Sequence, residues 1–236
     1  MISRPMHEVR AKDRWIVSVD LGQSHDYTAI CAIHHRVVPL PTNWKLVNGA
    51  YRQQKVERFD VLHLERRPLG EPYPVQVAHV RKLLEREPLI GAKLALDETG
   101  VGRPVADIFN TAGLSPVRVA IGSGMEVTQR DGNSFTIPKG HLISGLEAKM
   151  HCGEFSISAA LLDELKDFQR KVSESGRATW DARSGAHDDL ILSCAIGLWL
   201  ATNGIGEVTC EPNPWTEPDP AGWYRAQCEE PKGYRP

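Results

Sequence analysis

The sequence predicts an α/β protein with a mixed central sheet and helices on both faces. Short apolar, β-branched runs alternate with segments of helical periodicity, which calls for parallel strands joined by helical crossovers. The first two apolar runs are instead joined by a short turn-bearing link, which makes an antiparallel hairpin. The 236 residues are 41% hydrophobic and 25% charged, with 28 Lys and Arg against 30 Asp and Glu. That usage is ordinary for a globular chain and excludes collagen-like, coiled-coil and wholly disordered architectures. It also excludes any function that needs a strongly basic chain, such as passive coating of nucleic acid.

Residues 15–20 (WIVSVD) and 28–34 (TAICAIH) read as buried strands flanking a link that contains Gly22. Residues 39–48 read as a loop, and strand character returns around 58–64. Residues 75–87 are predicted helical, because Val77, Val80 and Leu84 share one face. A buried strand at 93–97, a helix within 100–113 closed by Gly113, and a strand at 116–121 follow. Residues 122–137 are turn-rich, with Asp131-Gly132 as a hairpin corner and Gly122-Ser-Gly124 as a loop or flexible lip. Helices are predicted at 139–151, 159–172 and 188–201, the last apolar enough to be buried all round, with a late strand at 177–182. The basic residues Arg52, Lys55, Arg58, Arg66 and Arg67 are interleaved with acids and read as an edge strand facing solvent.

The chain divides into an N-terminal extension (1–14), a folded domain (15–203) and an acidic tail (204–236). The tail holds six of the 16 prolines and six acidic against three basic residues, and reads as extended or partly disordered. Its Trp215 and Trp223 would suit docking on a partner or on the domain. Five cysteines at long spacings, without a Cys-x-x-Cys pair, argue against a disulfide framework and a zinc ribbon. They suit a reducing compartment. The first 14 residues lack the apolar stretch of a signal peptide, and no apolar run approaches the ~20 residues of a membrane span. The expectation is a cytoplasmic protein without membrane contact.

Three acidic positions stand out. Asp20 and Asp97 each end a buried strand, and Asp188, with Asp189 beside it, opens a buried helix. Ligands of open α/β sheets gather at the carboxyl ends of strands, and helix N-termini favour negative charge. Individually, each residue also reads as a turn or a cap. Brought together, such carboxylates repel one another, and a divalent cation resolves the conflict. Hard oxygen donors select Mg²⁺ or Mn²⁺, and a pair of such ions promotes attack of water on a phosphodiester.

The wording around these positions is more specific. Asp20-Leu-Gly-Gln-Ser-His-Asp26-Tyr-Thr28-Ala-Ile, then Ala95-Leu-Asp97-Glu-Thr-Gly100-Val-Gly102-Arg-Pro-Val, then His187-Asp188-Asp189-Leu-Ile-Leu-Ser-Cys-Ala stand in that order, with Ile137-Pro138-Lys139 opening a helix between the last two. From about Trp15 to Ala201 the chain resembles the nuclease domain of the large terminase subunits of tailed bacteriophages. The resemblance implies a ribonuclease H-like fold and a DNA endonuclease using two divalent cations, Mg²⁺ or Mn²⁺. It implies Asp20, Asp97 and Asp188 as catalytic metal ligands, and Asp189 as a further or alternative one. Implied partners are double-stranded DNA and, within viral packaging, a separate ATPase, a small terminase subunit or a portal. Those large subunits carry an ATPase motor, and no Gly-x-x-x-x-Gly-Lys-Ser/Thr loop occurs in this sequence. The expected activity is therefore nuclease without motor.

Asp26, His187 and Lys139 are accessory candidates. Asp26 also reads as a turn residue, His187 as a packing residue at the helix start and Lys139 as an exposed lysine that would suit a DNA phosphate. Two other functions fit parts of the sequence. Asp20-Leu-Gly followed by Thr28 loosely resembles the phosphate loop of actin-like and sugar-kinase ATPases, although 236 residues barely supply one of their two lobes. A catalytically silent DNA-binding component of packaging is the other, against which stands the cost of keeping unused carboxylates together.

Overall fold

The computed structural model describes residues 6–22, 26–100, 102–156, 158–172, 178–182 and 187–203. The expected acidic tail at 204–236, with its two tryptophans, lies outside the described residues. In chain order the elements are β1 (Met6–His7), β2 (Lys12–Asp20), β3 (Ala29–Val47), β4 (Ala50–Arg66), α1 (Tyr73–Leu84), β5 (Lys93–Asp97), α2 (Gly102–Thr111), β6 (Val117–Gly122), β7 (Thr128–Asp131), β8 (Ser134–Pro138), α3 (Lys139–His151), α4 (Ala159–Asp167), β9 (Phe168–Val172), β10 (Ala178–Ala182) and α5 (Asp189–Asn203).

Eight strands form one mixed sheet in the order β1-β4-β3-β2-β5-β6-β8-β7. β2, β5, β6 and β8 are parallel neighbours, and β2-β3-β4 is an antiparallel meander. β9 and β10 pair separately. The predicted α/β class and the hairpin beside parallel crossovers are what the fold contains.

The inner strands are apolar on both faces because both faces are covered. One face carries Ile16, Ala29, Cys31, Ile33, Ala95 and Val119 in a core with α3, α4 and α5. The other carries Val17, Val19, Ile30, Ala32 and Leu96 under α1 and α2. Helix α5 is buried almost throughout, from Asp189 to Ala201, as its composition predicts. It is anchored on β2 by Ser18, whose hydroxyl donates to the Ser193 carbonyl at 2.7 Å. Gly197 permits this approach: a Cβ there would stand 2.5 Å from Ser18 Oγ and 2.9 Å from Ile33 Cδ1.

Three expectations are corrected. Residues 39–48 are not a loop, since β3 continues to Val47 and turns through Asn48 (φ 49°) and Gly49 (φ 80°) into β4. An Asn-Gly pair with positive φ at both positions is the two-residue hairpin turn. The prolines are tolerated because β2 pairs β3 only as far as Val37, and the β3–β4 register slips between Pro39 and Trp44. Residues 159–172 are not one helix. Ser158 caps α4 by accepting the Leu161 amide, the helix stops at Asp167, and 168–172 pairs antiparallel with β10. That distant partner overrides the local helical period. Finally, β4 is an edge strand over most but not all of its length: β1 pairs on its outer side at Met6–Tyr51 and His7–Arg52, and Phe59 makes an isolated bridge to Phe155.

Candidate active site

Asp20 and Asp97 are the last residues of β2 and β5. These neighbours are parallel, with Val19 opposite Leu96, so the next residue on each brings both carboxyl groups to the same sheet edge. Both side chains belong to the face under α5, two residues on from Ser18 and Ala95. Asp20 is 8% exposed and Asp97 5%. The loop after β2 folds back tightly: the Gly22 amide donates to Thr28 Oγ1 at 3.0 Å, and Thr28 donates to Gln76 Oε1 at 2.9 Å. Gly22 is required there, because a Cβ would lie 2.1 Å from the Asp26 carbonyl oxygen.

Beyond β5, the Thr99 amide donates to Asp97 Oδ1 at 2.7 Å, while Thr99 Oγ1 accepts the Ile121 amide at 2.7 Å. The turn after the strand thus fixes the Asp97 carboxyl group. Glu98, next in sequence, is drawn aside by an ion pair with Arg130.

The third component comes from the start of α5. The Asp188 carbonyl accepts the Leu192 amide at 2.9 Å, which makes Asp188 the N-cap residue. Its carboxylate does not cap the helix but takes Lys139 Nζ at 2.8 Å, from the first residue of α3. Asp189 is 7% exposed. Its Oδ2 lies 3.8 Å from Arg66 Nε and 3.8 Å from His187 Nδ1 and has no hydrogen-bond partner among the described residues. His187 packs edge-on against Tyr27 at 4.9 Å, and the Arg66 guanidinium lies 5.6 Å from the centre of the same ring.

Electrostatics record the convergence. Burial pushes the Asp20 carboxyl well above the ordinary range, and Asp97, Asp189, Asp188 and Asp26 push it further. Asp97 is raised by burial, opposed by hydrogen bonds from Thr99 and Asp20. Asp189 is raised to about 6 by burial and by Glu164, against the pull of His187 and Arg66. Asp20, Asp97, Asp188 and Asp189 therefore share one electrostatic site. His187 and Lys139 stand at its rim, and Asp26 acts on it from an exposed position. Among the described residues, no three His, Cys, Asp or Glu side chains are gathered tightly enough to hold one metal ion as they stand.

Two residues in contact with the acidic positions escaped the sequence reading. Glu164 of α4 is buried, pairs with Arg66, and accepts the Leu190 amide at 3.2 Å and the Ile191 amide at 2.9 Å. Its signal was present: it lies on the apolar stripe of Leu161, Leu165 and Phe168, where a carboxylate needs a partner. Arg66 gave no local signal. It reaches the site because it pairs with Ala29 across the β3–β4 ladder.

No protein-family model matches the sequence, and no curated protein matches it. Solved structures do match the fold. The crystal structure of the large terminase nuclease from thermophilic phage G20c with bound magnesium superposes with a TM-score of 0.54 at 22% identity, over 82% of this chain and 84% of that one. The same nuclease with bound cobalt gives a TM-score of 0.55 at 22% identity, over 82% and 84%. The large terminase nuclease domain of Thermus phage P74-26 gives 0.53 at 21% identity, over 80% of each chain. The chain thus has the ribonuclease H-like α/β fold of the large terminase nuclease domains.

Proposed function

We propose that this protein is a metal-dependent DNA endonuclease of the large-terminase type, cutting double-stranded DNA with two divalent cations, Mg²⁺ or Mn²⁺, during viral DNA packaging. The observation that carries the reading is that Asp20 and Asp97 end neighbouring parallel strands while Asp188 and Asp189 open the helix packed on them, so that burial first and the neighbouring carboxylates next raise Asp20. Like charges held together in a buried place are costly unless a counter-ion joins them.

The residues fit such ions in chemistry, although among the described residues no three stand close enough to hold one as they are. The donors are hard carboxylate oxygens, and Asp189 Oδ2 is buried without a hydrogen-bond partner among the described residues. Asp20, Asp97 and Asp188 would hold the metal, with Asp189 as a further ligand. Bound there, divalent cations supply charge neutralisation and an activated water for attack on phosphorus. The chain's own residues prepare the site. Thr99 fixes the Asp97 rotamer by its amide at 2.7 Å. Lys139 balances the charge of Asp188 at 2.8 Å and brings a cation to the rim, where a DNA phosphate would approach. The magnesium- and cobalt-bound forms of the G20c nuclease support a divalent ion in this fold. A separate packaging ATPase, a small terminase subunit or a portal would be the protein partners.

A supercoiled-plasmid assay tests the reading. The wild type should nick and linearise plasmid with Mn²⁺ or Mg²⁺ and not with EDTA. Asp20→Ala and Asp97→Ala should each lose at least about a hundredfold in rate, the scale of losing one preorganised electrostatic partner. Cleavage retained by both purified variants would overturn the proposal.

A further inference from the structure

The helix that presents Asp188 and Asp189 is capped in an unusual way. An Asp at the N-cap ordinarily turns its carboxylate back onto the amides two and three residues on. Here those amides belong to Leu190 and Ile191, and both are taken by Glu164 of α4, at 3.2 and 2.9 Å. Asp188 is left to reach outward to Lys139 at 2.8 Å. Glu164 is itself held by Arg66, and Arg66 Nε also stands 3.8 Å from Asp189 Oδ2. One buried carboxylate and one arginine thus tie the end of β4, α4 and the first turn of α5 together.

We propose that Glu164 is a positioning residue for the metal ligands. By capping α5 from a neighbouring helix, it keeps the Asp188 carboxylate off its own backbone and available to the site, while Arg66 holds Glu164 in register with Asp189. This inference rests on the nuclease reading for the purpose of the ligands, and the capping exchange itself needs no metal. Without Glu164, the Asp188 carboxylate falls back onto the Leu190 and Ile191 amides and leaves the site.

Two measurements on the full chain test it. The first is Mn²⁺ affinity, read by electron paramagnetic resonance of free Mn²⁺. Glu164→Ala should weaken it by about 10–100-fold, the scale of losing a group that orients a ligand. Glu164→Asp keeps the charge beside Arg66 but withdraws the acceptor, and should weaken Mn²⁺ binding in the same direction. Glu164→Gln keeps one acceptor oxygen and turns the other into a donor, so it can take only one of the two amides and should fall between wild type and Glu164→Ala. If Glu164→Ala and Glu164→Asp bind Mn²⁺ as tightly as wild type, the positioning role is wrong.

The second measurement is a metal-free double-mutant cycle in urea. Asp188→Ala should change the unfolding constant little in the wild type, where Asp188 caps nothing. In the Glu164→Asp or Glu164→Ala background, where Asp188 has become the cap, its removal should cost about fivefold more, the ordinary worth of an N-cap. An equal cost in both backgrounds overturns the proposal whatever the metal data show. A wild type that binds no Mn²⁺ counts against the nuclease reading instead, and the cycle still decides whether Glu164 replaces Asp188 as the cap.

Discussion

Asp189 sits buried in the first turn of α5 with one oxygen lacking a hydrogen bond among the described residues and a carboxyl raised to about 6. A carboxyl with a raised folded-state value binds its proton more tightly folded than unfolded. Its contribution to stability is therefore complete below its ordinary 3.8 and is lost as pH rises through about 6. Against an Asp189→Asn variant, which cannot ionise, metal-free wild type should lose up to about 3 kcal/mol between pH 4 and pH 7. Thermal melts of both proteins in EDTA across that range check the sign; a gap that stays constant, or moves the other way, would count against it. The same residue scale shows what was readable in advance. Asp20, Asp97, Asp188 and Asp189 were legible because each carries a local signal, a charged residue closing an apolar strand or opening an apolar helix. Glu164 was legible in principle, as an acid on an apolar stripe. Arg66 was not, because its place depends on a strand register that no local pattern specifies.

Among the elements, α5 constrains the site most. It delivers two of the four carboxylates, and its seat on β2 and β3 depends on Gly197. Gly197→Ala gains helix propensity of about 1 kcal/mol, yet its Cβ meets the short, buried Ser18 side chain. Overpacking should win, and the variant should be destabilised by about 1–3 kcal/mol in urea unfolding. A stabilised variant would show that α5 can shift on the sheet. Strands and helices with clear apolar periods were predicted in place. The misses had a common cause. In β3 and β9, a partner strand elsewhere in the chain supplied the hydrogen bonds, and local propensity lost to that pairing. Among the turns, Asn48-Gly49 was an overlooked local cue, a hairpin signature hidden by flanking prolines and polar residues.

At the scale of the whole molecule, the proposed metal site makes the folded body one that ligand binding should stabilise. Mn²⁺ at about a hundred times its dissociation constant adds about 2.7 kcal/mol by mass action. For a domain of this size that raises Tm by about 5–10 °C. Differential scanning calorimetry should show that rise in the wild type and its absence in Asp20→Ala, and equal shifts in both would place the ion elsewhere. No helix among the described residues is long and apolar enough to cross a membrane. The near balance of 28 basic and 30 acidic residues means that bulk charge is not what would draw DNA to the protein. Composition and periodicity were sufficient to specify the α/β class, the order of the main elements and the acidic positions, because burial and secondary structure leave short-range patterns of their own. The capping of α5 by Glu164, the arginine beside Asp189 and the edge at which β2 and β5 align depend on contacts between residues 26, 123 and 77 positions apart in the chain. Such contacts exist once the chain has folded, and no local pattern encodes them.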